Sequence, residues 1–220
     1  MGPTRDIIMT IDEIMAVQPV IPVITVDRVE DSAPLATALV SSGLRVLEVT
    51  LRTPVALACI REMAQIANAV IGAGTVLTAQ DVRMACAAGA RFIVTPGLSA
   101  GTVAAAREMN VPILPGIATA TELMAGLDLG ISHFKFFPAE QAGGRAMIDA
   151  FRGPFGGVRF CPTGGITQEL AEEYLRRPNV ACVGGGWICP PGLIQANGWE
   201  TIGALARRAA GLPRAYMSAH

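Results

Sequence analysis

Lysine is all but missing from this chain: of its 17 Lys and Arg residues, only Lys135 is a lysine. Histidine is nearly as scarce, with His133 and the terminal His220 the only two. A Ser-His triad or a histidine-based metal centre is therefore poorly supplied. Charged residues make up 16% of the chain and the net charge is −1. There is no basic stripe for nucleic acid and no polybasic patch for a membrane surface, so any anion site must be local. No run of about 18 uninterrupted apolar residues occurs, and no membrane span is expected. Residues 1–18 carry Asp6, Asp12 and Glu13 and lack a basic start before an apolar core, which argues against a secretory leader. The five cysteines, Cys59, Cys86, Cys161, Cys182 and Cys189, are odd in number and form no CxxC pair. They read as reduced packing residues of a cytoplasmic protein, with no zinc or other metal site and no cofactor expected.

Apolar residues, by contrast, make up 51% of the 220 positions. That is enough for one sizeable core, and residues 1–220 read as a single domain. Short β-rich runs fall at 20–26, 46–51, 70–76, 92–97, 112–117, 133–138, 159–164 and 181–188, with helical patterns between them such as 31–43, 53–67 and 167–178. Asp, Ser or Thr opens several of the helical stretches, and Gly43, Gly89 and Gly130 stand where helices should close. Eight evenly spaced β-α units predict an α/β fold of the (β/α)8 TIM-barrel type. An open doubly wound sheet is the runner-up. No GxGxxG supports it, and "GAGTVL" at 72–77 is not that fingerprint. The leading "IDEIMAVQ" at 11–18 reads as an extra N-terminal helix covering the barrel bottom.

Strand alternation then assigns faces. In "HFKFFP", His133, Lys135 and Phe137 share one face, and Phe134 and Phe136 the other. In "VLEVTLR", Val46, Glu48, Thr50 and Arg52 oppose the aliphatic Leu47, Val49 and Leu51. Barrel strands bury both faces, and the aromatic and aliphatic faces suit the helix layer. Lys135, Glu48 and Arg52 are left on the axis side or its upper mouth. The arginine bias is what a GC-rich genome produces, so rarity alone says little about Lys135, and a buried Lys–Glu pair could be no more than an ion pair. Placement at the C-terminal end of a barrel strand favours chemistry. Arginine stays protonated, whereas a desolvated lysine can lose its proton, attack a ketone and form an imine that accepts electrons. Apolar walls such as Phe137 favour that neutral amine. His133, nearer the strand start, reads as a structural histidine.

The motifs "VLEVTLRT", "GAGTVL", "TPG", "PGIATATE", "FKFFPAE", "RFCPTGGI" and "GGGW" together resemble the 2-keto-3-deoxy-6-phosphogluconate (KDPG) aldolase and 4-hydroxy-2-oxoglutarate aldolase family, from Pro19 to about Trp187. The resemblance implies a class I, metal-independent carbon–carbon lyase of the Entner–Doudoroff pathway. It would cleave the phosphorylated keto acid to pyruvate and glyceraldehyde 3-phosphate. It implies Lys135 as imine nucleophile and Glu48 as general acid–base. Arg52, Thr75 and Pro96 would surround the substrate carboxylate, and Phe137 and Thr163 would contact the substrate. Gly164, Gly165, Gly184, Gly185 and Gly186 would form the phosphate loops. It also implies a homotrimer acting on a small molecule. Gly186 departs from the family pattern, in which many members carry a serine whose hydroxyl helps hold phosphate. Three alternatives stand beside this reading: 4-hydroxy-2-oxoglutarate or 6-phosphogalactonate aldolase chemistry by the same mechanism, a barrel that binds or isomerises sugar phosphates without aldol chemistry, and a metal-dependent aldolase, for which no ligand cluster is visible.

Overall fold

The computed structural model describes residues 9–216. Residues 1–8 and 217–220 lie outside them, and with them His220 and the first part of the stretch judged not to be a leader. Among the described residues the strands are β1 (Val20–Ile24), β2 (Val46–Thr50), β3 (Val70–Gly74), β4 (Phe92–Val94), β5 (Ile113–Leu114), β6 (Gly116–Ile117), β7 (His133–Phe136), β8 (Arg159–Pro162) and β9 (Val183–Gly185). The helices are α1 (Ile11–Ala16), α2 (Ser32–Ser41), α3 (Ala56–Met63), α4 (Ala79–Ala87), α5 (Ala100–Glu108), α6 (Ala120–Asp128), α7 (Gly144–Phe151), α8 (Gln168–Leu175), α9 (Pro191–Gln195) and α10 (Trp199–Ala210). All strand pairings are parallel, in the orders β5-β4-β3-β2-β1-β9 and β6-β7-β8. The isolated bridges Phe160↔Val180 and Thr163↔Gly184 join β8 to β9. The result is the α/β barrel expected from the repeat of strand and helix signals.

One expected strand, 112–117, is two. Pro115 has no N–H to give to a ladder, so pairing breaks there. β5 before it pairs with β4, and β6 after it pairs with β7. The Pro115 carbonyl still accepts from Lys135 N at 2.9 Å. Gly116 is required at this hand-over, because a Cβ there would lie 2.3 Å from the Pro96 carbonyl oxygen. The kink thus tucks the loop after β4 against the strand beside Lys135.

The two faces of each strand separate as alternation requires. Leu47, Val49, Phe134 and Phe136 join the core between strands and helices. Val46, Phe92, Val94, Leu114, Cys161 and Cys182 fill the barrel interior, and Ile14 and Met15 of α1 pack into the same cluster. Thr10 caps α1 reciprocally with Glu13. The helix stops at Ala16 rather than running to 18, because Gln18 serves the strand ends instead. Its amide donates to the carbonyls of Val20 (2.7 Å) and Val46 (2.8 Å) and accepts from the N–H groups of Arg45 (2.8 Å) and Val46 (3.0 Å). The glycine stops behave as expected: Gly43, Gly89 and Gly130 hold φ of 97°, 103° and 69°. No helix among the described residues is long and apolar enough to cross a membrane.

Candidate active site

Above the packed interior, the C-terminal strand ends surround a cavity of about 370 Å³. It is lined by Glu48, Thr50 and Arg52 from β2 and its end, Thr75 after β3, Pro96 after β4, Lys135 on β7 and Phe137 just past it. Thr163, Gly164 and Gly165 after β8, and Gly184 and Gly186 on β9 and just past it, complete the wall. Eleven of the twelve residues expected at the site therefore meet here. Gly185 does not: a Cβ there would strike Val20 and Trp187, so it faces the helix layer.

Lys135 and Glu48 form the floor. Their side chains are 7% and 4% exposed, and Lys135 Nζ lies 3.2 Å from Glu48 Oε1. Each gives the other a hydrogen-bond partner in a buried site, where an unpaired polar group would be costly. Phe137 supplies an apolar wall, its ring centroid 5.2 Å from Nζ. Room for the carboxylate comes from β3. Gly74 faces Glu48 so closely that a Cβ there would lie 2.2 Å from Oε1. Of the two glycines of "GAGTVL", Gly74 thus gives clearance to an acid, and Gly72 gives clearance to the Phe92 ring.

The rim is built from loops braced on one another. Thr75 holds φ of 56°, a left-handed conformation that costs a β-branched residue ~1–3 kcal/mol and persists only where its surroundings enforce it. Gly164 and Gly165 take φ of 105° and 73°, which turns the chain back after β8. That turn is held from the neighbouring loop, where Ala139 N donates to the Thr163 carbonyl at 2.8 Å and Glu140 N to that of Gly164 at 3.2 Å. Tyr174 in turn donates its hydroxyl to Glu140, and burial followed by this carboxylate pushes the phenol well above its ordinary pKa.

Val23, Thr50, Ile166 and Trp187 also line the cavity, and Thr25 binds Arg52; none of these five is among the residues assigned to the site from the sequence. Val23 and Thr25 were accessible to the alternation argument applied to 20–26, since Val23 pairs with Glu48. The cysteines are free, and four of the five are buried. Burial raises the thiol pKa of Cys59, Cys86, Cys182 and Cys189, as packing residues require. Among the described residues no group of three or more His, Cys, Asp or Glu is placed to hold a metal ion. The arrangement offers one buried amine, one buried carboxylate in contact with it, a guanidinium at the mouth and two glycine-rich loops opposite.

Comparison with known proteins agrees with this geometry. The family model described as KDPG and KHG aldolase matches residues 11–205. The 2-dehydro-3-deoxy-phosphogluconate aldolase of Dickeya dadantii is 46% identical over 199 residues, covering 90% of this chain and 93% of that protein. The KDPG aldolase of Zymomonas mobilis ZM4, solved with 3-phosphoglycerate, superimposes with a TM-score of 0.89 at 46% identity over 93% of this chain and 96% of that one. The Legionella pneumophila KDPG aldolase, with pyruvate captured at low pH as a covalent carbinolamine, gives a TM-score of 0.89 at 46% identity over 91% and 98%. The barrel, its buried Lys–Glu floor and these matches have one reading: the chain belongs to the KDPG and KHG aldolase family.

Proposed function

We propose that this chain is a class I aldolase that cleaves KDPG to pyruvate and glyceraldehyde 3-phosphate through an imine on Lys135. The observation that carries this is the 3.2 Å contact between two buried groups, Lys135 Nζ and Glu48 Oε1, on the floor of the cavity. A lysine in that position can be a nucleophile where an arginine could not.

The reaction follows from the placement. Lys135 attacks the C2 ketone, and Glu48, directly or through water, carries the protons needed to form and dehydrate the carbinolamine. Glu48, directly or through water, takes the C4 hydroxyl proton as the C3–C4 bond breaks, with the electron pair moving into the iminium. Glyceraldehyde 3-phosphate departs, Glu48 returns a proton to C3 of the enamine, and hydrolysis releases pyruvate and the free amine. Proton transfer by a positioned group of this kind contributes ~10²–10⁴-fold. Arg52, with Thr75 and Pro96, holds the substrate carboxylate, an arrangement suited to a bidentate guanidinium contact. Phe137 and Thr163 touch the carbon chain. Backbone N–H groups of Gly164, Gly165, Gly184 and Gly186 receive the phosphate, at the end of the barrel where phosphate sites commonly lie. Pyruvate captured as a covalent carbinolamine in one solved relative supports imine chemistry, and another relative solved with 3-phosphoglycerate supports a phosphorylated substrate. The protein acts without metal or cofactor, as a single cytoplasmic domain assembled into a homotrimer.

One observation favours a second substrate, 4-hydroxy-2-oxoglutarate. A Cβ at Gly186 would meet nothing within 4 Å, so the phosphate end lacks a side-chain donor there, while the imine end is complete. The deciding experiment for the mechanism is mass spectrometry of the intact protein after borohydride reduction with pyruvate. One pyruvyl adduct on Lys135 is expected; an adduct elsewhere, or none, refutes the assignment.

A further inference from the structure

We propose that Thr25 and Thr50 are positioning residues: they hold Arg52 so that one defined edge of its guanidinium meets the substrate carboxylate. The inference rests on the carboxylate role proposed for Arg52.

Arg52 lies just past the end of β2, with much of its side chain exposed. Such a side chain carries about 2 kcal/mol of rotamer entropy, and an unheld one would present its fork in many orientations. Two hydroxyls hold it. Its Nε donates to Thr50 Oγ1 at 3.1 Å, and its Nη2 donates to Thr25 Oγ1. The two threonine oxygens lie 3.0 Å apart, and the Thr50 hydroxyl donates to the Ile24 carbonyl at 2.9 Å. The register that pairs Val23 with Glu48 and Ile24 with Val49 brings Thr25 opposite Thr50.

The direction of every proton in this chain is fixed. Guanidinium has no acceptor, so both hydroxyls accept from it. Thr50 has one proton and gives it to Ile24, so Thr25 must be the donor between the two threonines. The relay runs from Arg52 to Thr25 to Thr50 to a main-chain carbonyl. Of five guanidinium N–H groups, two are engaged, leaving one on Nη2 and both on Nη1. Those form the end-on edge that a carboxylate engages through two parallel bonds. No carboxylate among the described residues forms an ion pair with Arg52. Fold alone does not call for these hydroxyls. Valine has the same shape and suits a strand at least as well, and at Thr50, only 2% exposed, a hydroxyl is tolerated because it is fully bonded.

The test is borohydride inactivation measured against ketone concentration for Thr25→Val, Thr25→Ser and Arg52→Ala. Two ketones are used: pyruvate, and hydroxyacetone, which lacks the carboxylate. Thr25→Val should raise the pyruvate concentration for half-maximal rate by about 3- to 10-fold with the limiting rate unchanged. Thr25→Ser should restore it, hydroxyacetone should be unaffected, and Thr25→Val should add nothing to Arg52→Ala. An unchanged pyruvate requirement in Thr25→Val, or an equal rise with both ketones, overturns the proposal. Failure of the unsubstituted protein to trap pyruvate at all would overturn the imine reading itself, and this proposal with it.

Discussion

The two ends of β7 each hold a buried or half-buried polar cluster, and the clusters differ in what they leave open. At the lower end, His133 uses both ring nitrogens within the protein. Nε2 lies 3.1 Å from Asp12 Oδ1 and Nδ1 lies 3.1 Å from Ser132 Oγ. Tyr216 donates its hydroxyl to the same Asp12 oxygen, and the Arg159 guanidinium sits over the Tyr216 ring. Two residues on, along the same strand face, Lys135 meets Glu48 by a single 3.2 Å contact, with the cavity above both. The lower cluster spends its hydrogen bonds on tying α1 and the C-terminal segment to a strand. The upper pair has capacity left over, directed at a space the size of a small metabolite. Titratable side chains withdrawn from solvent are common to both ends; unspent bonding capacity facing a cavity separates chemistry from fastening.

The largest effects should come from changes that make the upper end resemble the lower. Lys135→Arg keeps the charge and the contact with Glu48 but removes the nucleophile. Turnover should fall by at least ~10⁴-fold and the pyruvate adduct should vanish, while thermal unfolding still shows a folded protein. An adduct retained in that variant would erase the distinction between the two ends. Glu48→Gln should lower kcat by ~10²–10⁴-fold yet leave slow trapping on Lys135, because it removes the proton carrier and spares the amine. Gly74→Ala is subtler. The added methyl would sit 2.2 Å from Glu48 Oε1, so the carboxylate must move; a shift of about 1 Å can cost ~10²-fold in kcat. A loss of activity well beyond any loss of melting temperature is expected, and equal kcat in parent and variant would show that the position of Glu48 is not critical.

The sequence disclosed the upper end better than the lower, for a physical reason. Period-two alternation in "VLEVTLR" and "HFKFFP" places Glu48 and Lys135 on the inner face without knowledge of any other strand. A charge on that face, at a strand's C-terminal end, is conspicuous in an apolar chain. Alternation applied to 20–26 reaches the face on which Thr25 lies, but not its pairing with Thr50 and Arg52, which depends on register between β1 and β2 that no local pattern displays. The break at Pro115 was visible as a proline, but not that the chain changes pairing partners there, since that depends on Pro96 crossing at Gly116. Gly185 was assigned with its neighbours as part of a run; alternation applied to "VGG" would have turned it outward. The lower cluster joins residues 12, 133 and 216, far apart in the chain and chemically ordinary one at a time.

A smaller effect is expected where the upper cavity has space but no donor. Gly186→Ser adds a hydroxyl where a Cβ meets no atom within 4 Å. The KM for KDPG should fall roughly 10-fold, in line with a hydrogen bond to a charged group. The pyruvate concentration needed for trapping should not change, because pyruvate has no phosphate. A change in pyruvate trapping would place Gly186 at the imine end and blur the division of the cavity into two halves.

The smallest expected effect belongs to the lower cluster and concerns stability. Burial holds the pKa of His133 below the ordinary 6.5; Asp12 opposes that shift and Arg159 adds to it. The unfolded chain therefore binds a proton more readily than the folded one. Stability from this site is complete above pH 6.5 and is lost as the pH falls below that value toward the lower folded pKa. Melting temperature should accordingly drop between about pH 7.5 and about pH 5.5. His133→Gln keeps a donor near Asp12 and removes the titrating ring, so its drop across the same window should be shallower. Its turnover should stay near that of the parent, since His133 is not among the cavity-lining side chains. Equal pH slopes in the two proteins would mean that the lower cluster does not resist protonation. A turnover loss as large as that of Gly74→Ala would mean that the two ends of β7 act as one site.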